Sequence, residues 1–135
     1  MSQSSYKAQF EYSLSYDEID AIVRAKKNGN AAEVMILDVR DAYERKANGY
    51  IPYSINIPIP EIRDLQKMSN TAFQKRYGVN KPQKTDPIVL YCSKSQRSAF
   101  VNELLRNDGY KVVTYIREGF EGWHKRQNAQ LDDDL

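Results

Sequence analysis

The sequence is poor in the side chains that form disulfides and zinc sites, because its 135 residues include one cysteine, Cys92, and one histidine, His124. A single cysteine cannot form an internal disulfide, which is typical of a reducing compartment. No Cys/His cluster is present, so we predict no metal site. The first arginine is Arg24, inside a predicted helix, whereas mitochondrial presequences are rich in arginine. We therefore predict a cytoplasmic location, with the mitochondrion as the alternative.

Long apolar runs and a large net charge are also missing. No apolar stretch approaches the roughly 20 residues that span a membrane. Residues 1–5 have neither the basic start nor the apolar stretch of a secretory signal. The formal net charge is +2, which does not favour nucleic-acid binding. The sequence therefore predicts a globular protein that binds neither membranes nor nucleic acids.

Hydrophobic periodicity predicts alternating strands and helices. The apolar runs at residues 34–39, 88–91 and 112–116 are typical of strands buried on both faces, and helical patterns lie between them. This alternation indicates an α/β fold, with a mostly parallel central sheet and helices on both faces. A chain of 135 residues is long enough for one such domain.

The two ends of the chain differ in composition from its middle. Residues 1–9 are polar and residues 129–135 are acidic, so we predict both to be flexible and place the domain at residues 10–128. Within the domain, residues 10–12 are predicted to form a short edge strand. A capping box at residues 15–18 then predicts the start of the first helix.

Cys92 lies where a strand pattern changes into a helical pattern. In parallel α/β sheets ligands bind at the carboxyl ends of strands, where the next helix presents unpaired N–H groups and the positive end of its dipole. These groups, together with Lys94 and Arg97, favour the thiolate form of a cysteine. A lone cysteine is commonly a small buried hydrophobe, but the polar residues that follow Cys92 argue against burial. We predict a nucleophilic cysteine followed by an anion-binding loop, which comprises Ser93, Lys94, Ser95, Gln96, Arg97 and Ser98.

The segment Tyr-Cys-x-x-x-x-Arg-Ser, which follows an apolar strand, resembles the active-site loop of the rhodanese (thiosulfate sulfurtransferase) family. Other segments resemble that family in order and spacing: Asp-Val-Arg at residues 38–40, Gly-Tyr-Ile-Pro at 49–52, Ser-Ile-Asn-Ile-Pro at 54–58, Gly-Tyr-x-Val at 109–112 and Gly-Phe-x-x-Trp at 119–123. The resemblance covers residues 19–126 and implies a single rhodanese-like domain.

The resemblance also implies a sulfurtransferase that needs no cofactor. Its small-molecule partners would be an anionic sulfur donor, such as thiosulfate, and a thiol or cyanide acceptor, with Cys92 carrying the sulfur as a persulfide between them. The loop amides would cradle the persulfide, while Lys94 and Arg97 would hold the donor anion and the leaving group.

Two further residues are assigned a supporting role. Asp38 ends the first predicted strand, where its carboxylate can accept hydrogen bonds from the catalytic loop. Arg40 is expected to pair with Glu44 or another acid and to shape the turn after this strand. His124 is not assigned as a base, because the family prepares its thiolate with amides and cations. Trp123 is predicted to anchor the last helix in the core.

Several positions depart from the family pattern. Ser95 replaces a frequent loop glycine, Ser93 replaces a frequent basic residue, and Tyr50 and Tyr53 stand at a usual histidine and glycine. If the backbone at Ser95 needs a positive φ, serine is strained there by roughly 1 kcal/mol. In that case Ser95→Gly is expected to preserve or raise the rate.

Three alternative functions follow from the same residues. The related cell-cycle phosphatases and arsenate reductases carry one more residue between cysteine and arginine than the four found at residues 93–96, so the shorter loop favours sulfur over phosphate or arsenate. A non-catalytic rhodanese-like module that binds an anion or a regulatory partner remains open. A persulfide carrier that hands its sulfur to an acceptor protein also remains open.

Overall fold

The central sheet consists of four parallel strands. A computed structural model describes residues 3–134, with the side-chain surroundings of residues 6–131. The strands are β1 (Met35–Asp38), β2 (Ser54–Asn56), β3 (Ile88–Tyr91) and β4 (Val113–Tyr115). They lie in the order β2-β1-β3-β4, and all three pairings are parallel, so their carboxyl ends meet at one edge. The predicted α/β fold is confirmed.

Helices connect the strands and cover both faces of the sheet. In the described part of the chain they are α1 (Gln3–Gln9), α2 (Tyr16–Lys27), α3 (Ala42–Asn48), α4 (Ile59–Ile62), α5 (Asn70–Tyr77), α6 (Gln96–Asn107) and α7 (Gly119–Asp134), with a 3-10 turn at Leu65–Lys67. The capping box predicted before α2 is present, since Ser15 and Glu18 exchange hydrogen bonds of 3.0 and 3.3 Å. None of these described helices combines the length and the apolar character that a membrane span needs.

Side chains that alternate along each strand enter two separate cores. Ile36 and Val89 pack on one face with residues of α1, α2 and α7. Leu37 and Leu90 pack on the other face with residues of α4, α5 and α6. This double covering explains why the strand sequences are apolar almost throughout.

The N-terminal segment differs from its prediction. Residues 1–9 were predicted to be flexible, and residues 1 and 2 of this segment lie outside the described residues. Residues 3–9 form α1, in which Tyr6 packs on Phe10 one turn later and both of these side chains are buried. The edge strand predicted at residues 10–12 does not form. Instead, a single parallel bridge joins Leu14 to Ile116 beside β4.

The C-terminal segment also differs from its prediction. Residues 129–134 were predicted to be flexible, but their backbone continues α7; the rest of the predicted tail, residue 135, lies outside the described residues. The first half of the helix is held against the domain, because Trp123 is buried and Gln127 donates hydrogen bonds to Tyr16 Oη and Asp20 Oδ1 of α2. Trp123 therefore anchors α7, as predicted.

Candidate active site

Cys92 follows β3 directly, at the carboxyl edge of the sheet, and α6 begins four residues later. The side chain is 1% exposed and belongs to the core on the α6 face, although the polar residues after it had argued against burial. The turn places the polar side chains outward while the sulfur points back beneath the loop. Lys94 and Gln96 are the exposed members of the loop, whereas Ser98 is fully buried.

Ser98 supplies two groups to the sulfur of Cys92. Its backbone N–H donates to Sγ at 3.4 Å, and its Oγ lies 3.5 Å from Sγ and accepts from the thiol. The hydroxyl proton of Ser98 is donated to Ser95 O at 3.1 Å. When the sulfur becomes a thiolate, rotation of this hydroxyl brings a second donor to it.

The loop also presents backbone donors. The N–H groups of Ser93, Lys94, Gln96 and Arg97 have no acceptor among the residues that the structure describes. Two of them open α6, where the helix dipole adds positive potential. The arrangement around Cys92 can therefore hold an anion or a negatively charged sulfur.

Arg97 is held by Glu44, a residue of α3. The pair is bidentate, with Nη1–Oε2 at 2.6 Å and Nη2–Oε1 at 2.8 Å. The Arg97 guanidinium, together with hydrogen bonds from Asp41 N and Ser93 Oγ, lowers the pKa of Glu44 to about 2, although burial acts in the opposite direction. The same pair raises the pKa of Arg97.

The two cations of the loop therefore differ. Lys94 is exposed and makes no ion pair with any described residue, whereas Arg97 is paired. Both cations were predicted to bind the donor anion and the leaving group, and Glu44 was considered as a partner of Arg40 but not of Arg97. The sequence feature that could have indicated Glu44 is an acid near the start of a helix. This feature is not specific to a functional residue, because it is also explained by the capping box that Glu44 forms with Asp41.

Asp38 and Arg40 form a second pair behind the loop, with both side chains completely buried. Arg40 Nε and Nη2 lie 2.9 and 2.8 Å from the two Asp38 oxygens, and Arg45 Nη1 adds a third contact at 3.2 Å. Arg40 Nη2 also donates to Gly49 O at 2.7 Å. Asp38 thus receives its side-chain hydrogen bonds from its own turn and α3, not from the catalytic loop as expected. Arg40 was expected to pair with Glu44 or another acid, and its observed partner is Asp38 and not Glu44.

The first turn of α7 holds the backbone of the catalytic loop. Phe120 N donates to Cys92 O at 2.8 Å, and Glu121 N donates to Ser93 O at 3.0 Å. Gly119 has a φ of +64°, and a Cβ atom there would lie 1.9 Å from Lys94 O. This glycine belongs to the Gly-Phe-x-x-Trp segment, but its close approach to Lys94 O is created only by the fold and has no signal in the sequence.

The strain expected at Ser95 is not present, because its φ is −142°. Among the described residues other than glycine, positive φ values occur instead at Ala31 and Tyr53. Tyr53, with a φ of +69°, stands where the family usually has glycine, so the strain lies there.

The last helix lines a groove beside the loop. This groove has a volume of about 690 Å³ and runs from Ser93 between Asn48 at the end of α3 and Phe120 and His124 of α7. The exposed His124 ring stacks on Phe120 with 5.4 Å between ring centroids, and its Nε2 contacts Asn128. No group of three or more His, Cys, Asp or Glu side chains suited to a metal ion occurs within the described residues.

Comparison with known proteins gives a consistent set of relatives. A family model described as "Rhodanese-like domain" matches residues 21–126. A putative mitochondrial thiosulfate sulfurtransferase of Schizosaccharomyces pombe is 33% identical over 115 residues, which cover 84% of this chain and 80% of the relative. The thiosulfate:glutathione sulfurtransferase of Homo sapiens is 30% identical over 94 residues, which cover 69% of this chain and 81% of the relative.

A solved structure gives the same result. The human single-domain sulfurtransferase superposes with a TM-score of 0.73 at 27% sequence identity, and the match covers 84% of this chain and 95% of that chain.

Proposed function

The chain belongs to the rhodanese-like domain family, and from this premise we propose that it is a thiosulfate sulfurtransferase that carries sulfur as a persulfide on Cys92. Sulfurtransferase relatives at about 30% identity support the reaction class. The observation that carries the proposal is the position of Cys92 Sγ, which Ser98 contacts through two groups inside a ring of unpaired amides.

The proposed reaction has two displacements. In the first, the Cys92 thiolate attacks the outer sulfur of thiosulfate; a Cys92–sulfur bond forms, and the sulfur–sulfur bond of thiosulfate breaks with its electron pair leaving on sulfite. In the second, a nucleophile attacks the outer persulfide sulfur and the Cys92 thiolate leaves. Cyanide gives thiocyanate, and a thiolate gives a new persulfide. Ping-pong kinetics are expected.

The loop supports this chemistry at both steps. The unpaired N–H groups can stabilise the negative charge on the outer persulfide sulfur. The Ser98 hydroxyl can donate to the departing thiolate in the second step. Lys94, which is exposed at the rim of the loop, can attract the anionic donor.

We further propose a small thiol as the natural acceptor. A human relative is named a thiosulfate:glutathione sulfurtransferase, and a related yeast protein carries the same name. The groove beside Ser93 leads to the loop and has a volume within the roughly 300–1,000 Å³ of small-molecule sites. The alternative acceptor is the thiol of a partner protein, and a comparison of the rates with glutathione and with reduced thioredoxin-like proteins distinguishes the two.

The test follows sulfur through Cys92. Purified protein would be assayed with thiosulfate and either cyanide or glutathione, with thiocyanate, sulfite and sulfide as products. Mass spectrometry after thiosulfate treatment should show one added sulfur. Both signals should vanish in Cys92→Ser and persist in Ser13→Ala, a matched control at a serine that contacts Arg117.

The burial of Cys92 favours one rival function, the non-catalytic module. In that case the reduced wild-type protein gains no sulfur from thiosulfate, polysulfide or 3-mercaptopyruvate and yields no product. This outcome would remove the enzyme proposal, provided that circular dichroism shows a folded protein.

A further inference from the structure

Glu44 is bound by donors from both ends of the catalytic loop. Its Oε1 accepts from Ser93 Oγ at 3.1 Å, and both of its oxygens accept from Arg97. Asp41 N adds a hydrogen bond to Oε2 at 2.9 Å. Four donors therefore satisfy this carboxylate. An incoming anion would have to compete with Glu44 for the Arg97 guanidinium.

We propose that Glu44 is a positioning residue that sets the charge preference of the loop for its sulfur donor, because it holds Arg97 and leaves Lys94 to meet the anionic end of the donor. The inference rests on the proposed function for its kinetic test. In this proposal Lys94 recognises the sulfur donor, whereas Arg97 has a structural role.

The charges at the rim of the loop lead to this inference. The Glu44–Arg97 pair contributes no net charge, and Glu44 remains ionised throughout the neutral range because its pKa is about 2. Lys94 therefore contributes the uncompensated charge of the loop, which is +1 and not +2. The Coulomb energy between the loop and a donor is proportional to the charge of the donor, so the pair weakens the attraction for a dianion more than for a monoanion.

Two donors of different charge measure this effect directly. Thiosulfate is a dianion, and benzenethiosulfonate is a monoanion that presents the same outer sulfur and leaves as benzenesulfinate. The Cys92 thiolate attacks both in the same way. The ratio of their kcat/KM values therefore reports the charge of the site and cancels changes in the reactivity of Cys92.

Glu44→Gln releases Arg97 from its anionic partner and adds one positive charge to the rim. A unit charge about 7 Å from the donor in a solvated site is expected to change the ratio about threefold. The ratio of thiosulfate to benzenethiosulfonate should therefore rise about threefold in Glu44→Gln, and fall by a similar factor in Lys94→Gln. The double variant should return near the wild-type ratio, and high salt should reduce all of these differences.

Glu103→Gln is the matched control, because Glu103 is an exposed carboxylate on α6 and its replacement changes the net charge by the same amount. Its ratio should equal that of the wild type. If Glu44→Gln lowers kcat/KM for both donors equally and leaves the ratio unchanged, Glu44 only shapes the loop and the proposal is overturned. Lys94→Gln gives an independent test at an exposed residue, and an unchanged ratio there overturns the proposal as well.

A binding experiment separates this inference from the proposed function. In a Cys92→Ala background, calorimetry compares the Kd values of thiosulfate and benzenethiosulfonate with and without Glu44→Gln. If the wild type turns over neither donor, the proposed function fails, while a threefold shift in the ratio of Kd values still supports the role of Glu44. An unchanged Kd ratio overturns that role whatever the activity.

Discussion

Two arginine–carboxylate pairs flank the catalytic loop, and they differ mainly in burial. Both are bidentate, but Asp38 and Arg40 are completely buried, whereas the side chains of Glu44 and Arg97 are 14% and 36% exposed. A buried pair that loses one partner leaves a charge without compensation, while an exposed pair is screened by water. The buried Asp38–Arg40 pair is therefore expected to stabilise the fold, whereas the partly exposed Glu44–Arg97 pair is expected to affect the selectivity of the site.

The buried pair reaches the loop indirectly, through α7. The guanidinium carbon of Arg40 lies 4.5 Å from the centre of the Phe120 ring, a cation–π contact. Phe120 N in turn donates to Cys92 O. The exposed pair contacts the loop directly, since Arg97 belongs to it and Ser93 donates to Glu44. Each pair thus supports a different side of the loop.

The largest expected effect comes from breaking the buried pair. Asp38→Asn removes the charge that compensates Arg40, so the free energy of unfolding should fall by about 3–5 kcal/mol. Urea unfolding of the wild type and the variant measures the change. Glu44→Gln, the corresponding substitution in the exposed pair, should cost about 1 kcal/mol or less. Equal losses in the two variants would show that burial does not distinguish the pairs.

The second-largest expected effect concerns the contact between the first turn of α7 and the backbone of the catalytic loop. Gly119→Ala places a Cβ atom 1.9 Å from Lys94 O, so the loop backbone must move and thiosulfate turnover should fall about 100-fold. Gly29→Ala is the control, because Gly29 also has a positive φ, of +82°, but nothing lies within 4 Å of the added atom. It should lose about 1 kcal/mol of stability and keep its activity. A similar loss of turnover in both variants would contradict a specific role for the close approach.

Local patterns in the sequence predicted the parts of the fold that depend on local chemistry. Apolar runs marked the strands, and the capping box marked the start of α2. The helices at the two ends of the chain were not predicted, because composition alone does not show that Tyr6 packs on Phe10 or that Gln127 binds α2.

In the candidate site, too, the features that depend on local sequence were predicted and those that depend on distant contacts were not. The position of Cys92 before a helix is a local feature, and the sequence predicted it. The partner of Arg97 is 53 residues away in the chain, and no local pattern joins it to Glu44. The contact of Gly119 with Lys94 O likewise exists only after α7 has docked. Contacts between distant segments were therefore the part that sequence reasoning could not supply.

Acid titration sharpens the comparison between the pairs. The pKa of Glu44 is lowered from 4.5 to about 2 on folding, so its contribution to stability is present above about pH 4.5 and is lost as the pH falls towards 2. Because Arg97 is partly exposed, we expect this contribution to be about 1 kcal/mol after screening. The difference in the free energy of unfolding between the wild type and Glu44→Gln should be constant from pH 8 to about pH 5.5 and should narrow below pH 4.5. A difference that stays constant down to pH 3 would contradict the assignment.

The smallest expected effect compares the backbone next to each pair. Tyr53 precedes Ser54, which binds Arg45 beside the buried pair, while Ser95 lies in the loop beside the exposed pair. Tyr53 has a φ of +69°, which costs a residue other than glycine about 1–2 kcal/mol, whereas the φ of Ser95 is −142° and carries no such strain. Glycine itself loses about 0.5–1 kcal/mol through the greater freedom of the unfolded chain. In urea unfolding, the free energy of unfolding should therefore rise by about 0.5 kcal/mol in Tyr53→Gly and fall by about 0.5–1 kcal/mol in Ser95→Gly. A rise in Ser95→Gly would instead show that the backbone at Ser95 is strained, as first expected from the sequence.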